Sequence, residues 1–600
     1  MFHVFNRISR FKRACRRVFD LICISVCMGV IGTLPACSQQ YDDSRSTRRA
    51  ISQSQAVASD FLRTELALSP ETASRLDLER YLGPSASFAL NNHSQAGFER
   101  RRLVRIELLQ RLQSRTILPD EHPLTRDLQV AERALVDLIS LEQLGYGRYD
   151  YAAMHPYAID PYSGIWIEGP TLLVYRQSIA NADQATAYLS RLRALSAAVQ
   201  DTKRRIIADQ ASGILLPRAL VNETHRRLSR LTNAENGALT TLSDTFDALI
   251  TSVPDLSATR RGQLSNLVRI EVTENLTPAY LDLLATLDTA TETAADQAGI
   301  WAQPRGLDVY AGILPASIGE PLNTERLHET QLEIVNGHVA QISQMITLDP
   351  EMYPTAAAKP ERLSLQYQWF EAVLAEPAAA NAASEVSSEP DALFELSPRS
   401  AWTRISGSVS FAAQTRAIAG FLTILDTEPY ALWRSEGGAA RTPYRVIVEY
   451  PAVQAAWQHY VWGQSIKGAA PADAPMDQVG RYSINLIQAV LAAADTGIHM
   501  NRWSIAEATD FIAVNSGLNE PLARQLALSI AARPGYHSAV AIARQRIEAL
   551  SERAQAVLGE QSSETDFPRS VLEPGPRPLS LIEKDIEAWY GQRLIAGSTN

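Results

Sequence analysis

The placement of cysteine limits this 600-residue chain more than any other feature. There are four cysteines, Cys15, Cys23, Cys27 and Cys37, and none after position 37. Cys37 closes the stretch Leu34-Pro35-Ala36-Cys37, which has the form of a lipobox, the signal at which a bacterial lipoprotein is cleaved and lipidated on cysteine. Arg7, Arg10, Lys12, Arg13, Arg16 and Arg17 make a basic lead-in, and residues 21–34 an apolar run of 14. A bilayer span needs roughly 20 apolar residues, so the run reads as a signal peptide rather than an anchor helix. Cleavage before Cys37 leaves one cysteine, and lipid occupies it. Whatever follows must then fold without disulfides, and cannot use thiolate catalysis or cysteine-bound zinc.

The expected address is the cell envelope, with the membrane as partner through lipid on Cys37. Ser38 lacks the carboxylate of an inner-membrane retention signal, which points to the outer membrane facing the periplasm. Arg16-Arg17-Val18-Phe19 also resembles the core of a twin-arginine export signal. Without residues 1–36 the chain carries 50 Lys and Arg against 65 Asp and Glu, a formal charge of −15. That balance argues against nucleic acid as a partner.

Beyond the lipobox, residues 37–58 are rich in Ser, Gln, Asp and Arg and read as a solvated tether. Apolar positions from Asp183 recur at spacings of three and four (Ala185, Tyr188, Leu189, Leu192, Leu195, Val199), which places them on one helical face. Residues 127–144 behave alike, with Gly145 a candidate C-cap. Residues 484–498 form another apolar helix, and Ser504-Ile505-Ala506-Glu507 is a capping box. Strand signals are few, residues 165–175 and 444–448. The expected fold is mainly α with a small β element. An Ala, Ser, Glu and Pro-rich stretch, 375–391, reads as a linker or insert between helical parts at 59–374 and 392–600.

Several segments, in order, resemble the bacterial family called domain of unknown function 885 over about residues 80–590. They are residues 184–192, similar to "aYlaRL"; Pro304, Gly306 and Tyr310; residues 327–335 around His328-Glu329; Asp495-Thr496-Gly497-Ile498-His499 with Trp503, similar to "DTGiH..gW"; Arg533-Pro534-Gly535; and Phe567, Val571-Leu572, Gly575 and Pro578-Leu579. The resemblance implies a large helical body like that of zinc peptidases. In such proteins imidazoles and a carboxylate hold Zn²⁺ with one position open to water, and a nearby glutamate takes the water's proton. It also implies that the metal site falls within about 400–465. There this chain has one histidine, His459, and no His-Glu pair. In the downstream segment Trp457 and Tyr460 match, but Ala455 stands where a carboxylate belongs. After Gly535, Tyr536 replaces a glutamine, and Val540 and Ala541 replace a Tyr-Lys pair. The expectation is a degenerate site with no metal and no cofactor of its own.

The remaining candidates are judged on residue type and spacing. His328-Glu329 is the only His-Glu dipeptide, but Leu332 breaks H-E-x-x-H. It reads either as a near-cleft pair or as a pair joining two helices. Asp495 and His499, four apart, share one helical face; they are either substrate-contacting groups or a buried polar pair, and Gly497 is expected to loosen that helix end. Trp457, Tyr460, His459, Tyr536 and His537 are candidate cleft residues. Glu449 with His459 and His499 is a candidate relocated metal set, and His338 is expected to be solvated. No G-x-S-x-G elbow occurs. Two functions follow: a non-catalytic relative of helical zinc peptidases that binds peptide or cell-wall material, or a divergent hydrolase using a relocated metal or His328, Glu329, Asp495 and His499.

Overall fold

Helical periodicity dominates the sequence, and helices dominate the computed structural model. It describes residues 39–83, 88–119, 122–233, 238–348, 421, 424–425, 429–430, 433, 443–467, 475–559 and 566–598. The proposed signal peptide, Cys37 and the 375–391 linker lie outside these residues, as does most of the stretch 400–442. Helices α1 (Gln39–Leu68), α2 (Pro70–Arg75), α3 (Gln95–Gln113) and α4 (Pro123–Glu142) lead into an antiparallel hairpin of β1 (Arg148–Tyr149) and β2 (Met154–His155). Next come α5 (Ile165–Tyr175), α6 (Ala182–Ala211), α7 (Arg218–Leu231), α8 (Thr241–Thr251), α9 (Ala258–Ile270) and α10 (Thr277–Thr293). Then follow α11 (Gly306–Ile318), α12 (Leu327–Leu348), α13 (Tyr444–Ile447) and α14 (Pro451–Lys467). The chain continues through α15 (Pro475–His499), α16 (Ile505–Ser516), α17 (Glu520–Ala532), α18 (Tyr536–Leu558), α19 (Asp566–Leu572) and α20 (Leu579–Ser598). The protein is thus mainly helical, with one two-stranded sheet among the described residues.

Two units are distinguished, Met1–Gln53 and Ser54–Asn600. Of the first, only the opening turns of α1 are described. The second has two hydrophobic cores. One draws on α1, α4, α11 and α13–α20, with Leu138, Ile313, Trp457, Val490 and Ile547 among its residues. The other is built from α5–α10, around Trp166, Tyr188, Phe246 and Tyr280. Helix α15 is central to the first. Val490, Ala492, Ala493 and Ala494 are fully buried on it, and α12, α14, α16, α17 and α18 all pack against it. Alanines let the neighbouring backbones approach closely. The capping box of α16 forms as expected, with Ser504 and Glu507 each accepting the other's backbone N–H.

Both expected strands are helices instead. Residues 165–175 form α5, buried on most sides, and Gly169 faces Leu195 so closely that a Cβ there would meet it at 2.4 Å. Residues 444–447 form the single turn α13, with all four side chains buried. A short apolar run buried all round has no period that separates strand from helix. The expected tether is helical from residue 39, because α1 runs unbroken into a stretch that buries Ser54, Ala58, Phe61, Leu62 and Leu66. Helix α4 ends at Glu142, and Gly145 sits in a left-handed turn beyond its cap.

Candidate functional site

The i, i+4 spacing of Asp495 and His499 does bring them together at the end of α15, 4.0 Å apart and fully buried. Their hydrogen bonds lead elsewhere. Asp495 Oδ1 accepts the Gly535 N–H at 2.9 Å and Oδ2 the Ser538 N–H at 3.0 Å. Tyr310 Oη donates to the same carboxylate at 3.3 Å. Asp495 therefore caps the first turn of α18, where free N–H groups and the helix dipole favour a carboxylate. Burial still pushes its pKa up to about 6. His499 Nδ1 accepts the Ile300 N–H at 3.0 Å, and Nε2 donates to Ile530 O at 3.0 Å. Both ring nitrogens are thus committed to backbone. Burial lowers its pKa to about 4, so the ring is neutral.

The residues between them are also structural. Thr496 Oγ1 is hydrogen-bonded to His328 Nδ1 at 2.7 Å, which ties α12 to α15. Gly497 does not loosen the helix end. It makes room for Trp503, whose ring a Cβ would meet at 2.2 Å. His328 is half-buried against Trp503, with ring centroids 5.2 Å apart, and burial lowers its pKa. Glu329 points to solvent, 66% exposed, and pairs with Arg326. The four residues expected to converge for hydrolysis therefore do not. Asp495, His499 and His328 lock helices, and Glu329 faces away.

The candidate cleft residues divide similarly. Trp457 and Tyr460 are buried and in mutual contact, and Tyr460 Oη bonds to Ser551 at 2.8 Å. His459 is buried against Phe421, with ring centroids 4.7 Å apart. Its pKa is lowered well below the usual range by burial, Arg544 and His537. Burial likewise pulls His537 down to about 3. His338 is half-buried rather than solvated, its pKa lowered by burial and by Arg544. Arg544 itself bonds Asn485 at 3.0 Å and Glu548 at 2.9 Å. A dication among these imidazoles would sit beside a guanidinium. Among the described residues no three His, Cys, Asp or Glu side chains gather to hold a metal. The set Glu449, His459 and His499 does not assemble.

Of the expected cleft residues, Tyr536 borders a cleft. A shallow cleft, open to solvent, lies between the hairpin (Tyr151, Met154), α11 (Ile313), the start of α14 (Glu449, Pro451) and the α17–α18 turn (Arg533, Tyr536). Glu449 is held by Arg75 at 2.8 Å. The Arg533 guanidinium lies 4.4 Å from the centre of the Tyr536 ring and forms no carboxylate pair among the described residues. Gly535, between them, adopts φ +81°, with Ile313 and Leu314 close beside it. The Asp495 cap fixes this turn, so the buried knot positions one wall of the cleft. Tyr151 escapes sequence reading, and Arg533 enters it only as part of the family-like turn, because they join the site through tertiary packing. The one local signal is an arginine flanking a Pro-Gly turn.

This chain matches the family described as "Bacterial protein of unknown function (DUF885)" over residues 70–383 and 464–586. It belongs to that family. The match to DUF885 leaves out residues 384–463 and covers both the Asp495–His499 knot and the Arg533–Tyr536 turn. No curated protein matches the sequence. The fold is similar to a crystallised presumptive lipoprotein from Colwellia psychrerythraea, at TM-score 0.76 and 18% identity, covering 90% of this chain and 100% of that one. A presumptive lipoprotein of unknown function from Shewanella oneidensis is similar at TM-score 0.63 and 12% identity, covering 88% and 98%. At such identities the likeness establishes the fold. No helix among the described residues of this DUF885 chain is long and apolar enough to cross a membrane.

Proposed function

We propose that this chain is a lipid-anchored envelope protein, held through Cys37, that binds peptide-like ligands without zinc-peptidase chemistry. One observation carries the binding reading. The hairpin–α18 cleft combines an acidic group, Glu449, and a basic group, Arg533, with the aromatic walls Tyr151 and Tyr536. A short peptide offers a matching pattern of amine, carboxylate and apolar side chain. Ligand sites of this kind have apolar walls and a few placed polar groups. The loss of zinc chemistry is supported by Ala455, by the guanidinium of Arg544 beside the imidazoles, and by the family match passing over residues 384–463. The anchoring is supported by the lipobox and by the descriptions of the two similar structures.

Calorimetric titration of short peptides with free termini tests the binding. We expect binding that a chelator leaves unchanged, and at least a tenfold weaker affinity in Arg533→Gln. Chelator-sensitive peptide hydrolysis, with stoichiometric zinc in tagless protein, would overturn the reading. For anchoring, Cys37→Ser is expected to leave the membrane fraction; unchanged fractionation would remove that part.

A further inference from the structure

The two charged groups that line the hairpin–α18 cleft are not equally matched. Glu449 already has a counter-charge, with Arg75 Nη1 2.8 Å from its carboxylate. Other carboxylates gather on the same arginine. Against burial, Glu449, Asp150 and Glu168 together hold the Arg75 pKa above its ordinary value. Arg533 has no such company. It is half-buried, its guanidinium lies 4.4 Å from the centre of the Tyr536 ring, and among the described residues it pairs with no carboxylate. Its charge is felt nearby: burial first, and then Arg533, pulls the His537 pKa down to about 3. The Arg75–Glu449 pair cancels, and the Arg533 charge is left over.

Several other donors along the cleft are taken. Asp150 Oδ1 accepts the N–H groups of Ala152 and Ala153, each at 2.8 Å. Ser317 Oγ donates to Ile313 O at 2.8 Å. A guanidinium with free N–H groups suits a carboxylate, because its planar fork can give two parallel hydrogen bonds. Such a pair beside apolar walls is screened less than one in open water. Depth limits what else the ligand contributes. A shallow cleft open to solvent cannot enclose a length of peptide, but it can hold one end.

We infer that the cleft reads the carboxylate end of a peptide, with the terminal carboxylate on Arg533, the last side chain against Tyr536 and Ile313, and the amino end left unrecognised. This rests on the peptide binding proposed above and narrows it to one terminus. A peptide whose C-terminus is blocked is then a poor ligand, and residues far from that terminus add little.

The test is calorimetric titration of the full chain with Ala-Ala-Phe, its N-acetyl form and its C-terminal amide. Acetylation should change affinity by less than twofold, and amidation should weaken it at least tenfold. Ala-Glu-Phe-amide, which moves the carboxylate to a side chain, should bind no better than the plain amide. In Arg533→Gln the acid and the amide should bind alike. Glu449→Gln removes the partner of Arg75 and should leave the acid bound as tightly or more so. Equal affinity for acid and amide in the unaltered protein would overturn the inference while peptide binding itself stood, and that comparison suffices if a variant does not fold. So would a tenfold loss on acetylation, or in folded Glu449→Gln, since the amine would then be what the cleft holds. Ala-Glu-Phe-amide binding as tightly as the acid would overturn the reading of a chain end. Binding by none of these peptides would overturn peptide recognition, and this inference with it.

Discussion

The knot at the end of α15 and the cleft beside it are built from similar side chains but place them under opposite conditions. In the knot, both oxygens of Asp495 and both nitrogens of His499 are taken by backbone groups, and neither side chain reaches solvent. In the cleft, Glu449 keeps a single arginine partner and Arg533 rests on an aromatic ring. A saturated, buried polar group is a structural part, because a ligand can engage it only by breaking bonds it already makes. A half-exposed, half-satisfied group has capacity left for a ligand. On the function proposed above, the knot is the scaffold and the cleft the working surface, and each variant below tests one side of that comparison.

The largest effect belongs to the knot. Asp495→Ala strands the N–H groups of Gly535 and Ser538 and the Tyr310 hydroxyl in a buried site, and should cost about 3 kcal/mol of stability in denaturant unfolding. It should also weaken peptide binding, since the Arg533–Tyr536 turn loses its anchor. Full stability in this variant would dissolve the distinction between the two regions.

His499→Gln should cost about 2 kcal/mol at neutral pH, because no rotamer of glutamine replaces both backbone bonds. Here pH sharpens the test. The folded pKa of His499 is depressed to about 4 from its ordinary 6.5. Between those values the unfolded chain takes up a proton that the folded chain refuses, so this group's contribution falls as pH drops below 6.5. The loss amounts to about 2 kcal/mol by pH 5. The gap between the unaltered protein and His499→Gln should therefore close near pH 5 in urea titrations. Taking the difference between the two proteins removes opposing contributions such as Asp495, whose raised pKa acts in the other direction. A gap independent of pH would mean that His499 is not held neutral.

Much of the knot was legible in the sequence and little of the cleft. Spacing alone put Asp495 and His499 on one helical face, and it also offered them as chemistry. What spacing cannot carry is the identity of partners 31 and 199 residues away, Ile530 and Ile300, and those partners decide between catalysis and scaffold. Helix α6 was readable because its apolar residues repeat with the helical period, whereas α5 and α13 were misread because a run buried on every side has no period. Glu449 and Tyr536 were singled out as site candidates and Arg533 only as part of the family-like Arg533-Pro534-Gly535 turn, whereas Tyr151 was not, since nothing local distinguishes it.

Arg533→Gln tests the other side of the comparison. With no carboxylate partner among the described residues, its loss should change stability by less than about 0.5 kcal/mol. Peptide affinity should nonetheless fall by at least tenfold. A large loss of stability would place Arg533 with the scaffold and leave the cleft without its basic group.

The smallest effect is expected at Glu329. Its carboxylate is 66% exposed and, among the described residues, pairs with an exposed arginine three residues earlier on the chain, Arg326. An exposed i, i+3 pair contributes about 0.3 kcal/mol. Glu329→Ala should therefore leave unfolding midpoint and peptide affinity within error of the unaltered protein. Its value lies in the contrast with His328, the adjacent residue, whose ring is bonded to Thr496 and packed on Trp503. His328→Ala removes a part-buried hydrogen bond and a ring contact, and should cost about 1 kcal/mol. Were the two to act as one catalytic pair, their variants would abolish the same activity together. A divided result, with His328 altering stability and Glu329 altering nothing, is what a helix that buries one side chain and exposes the next requires.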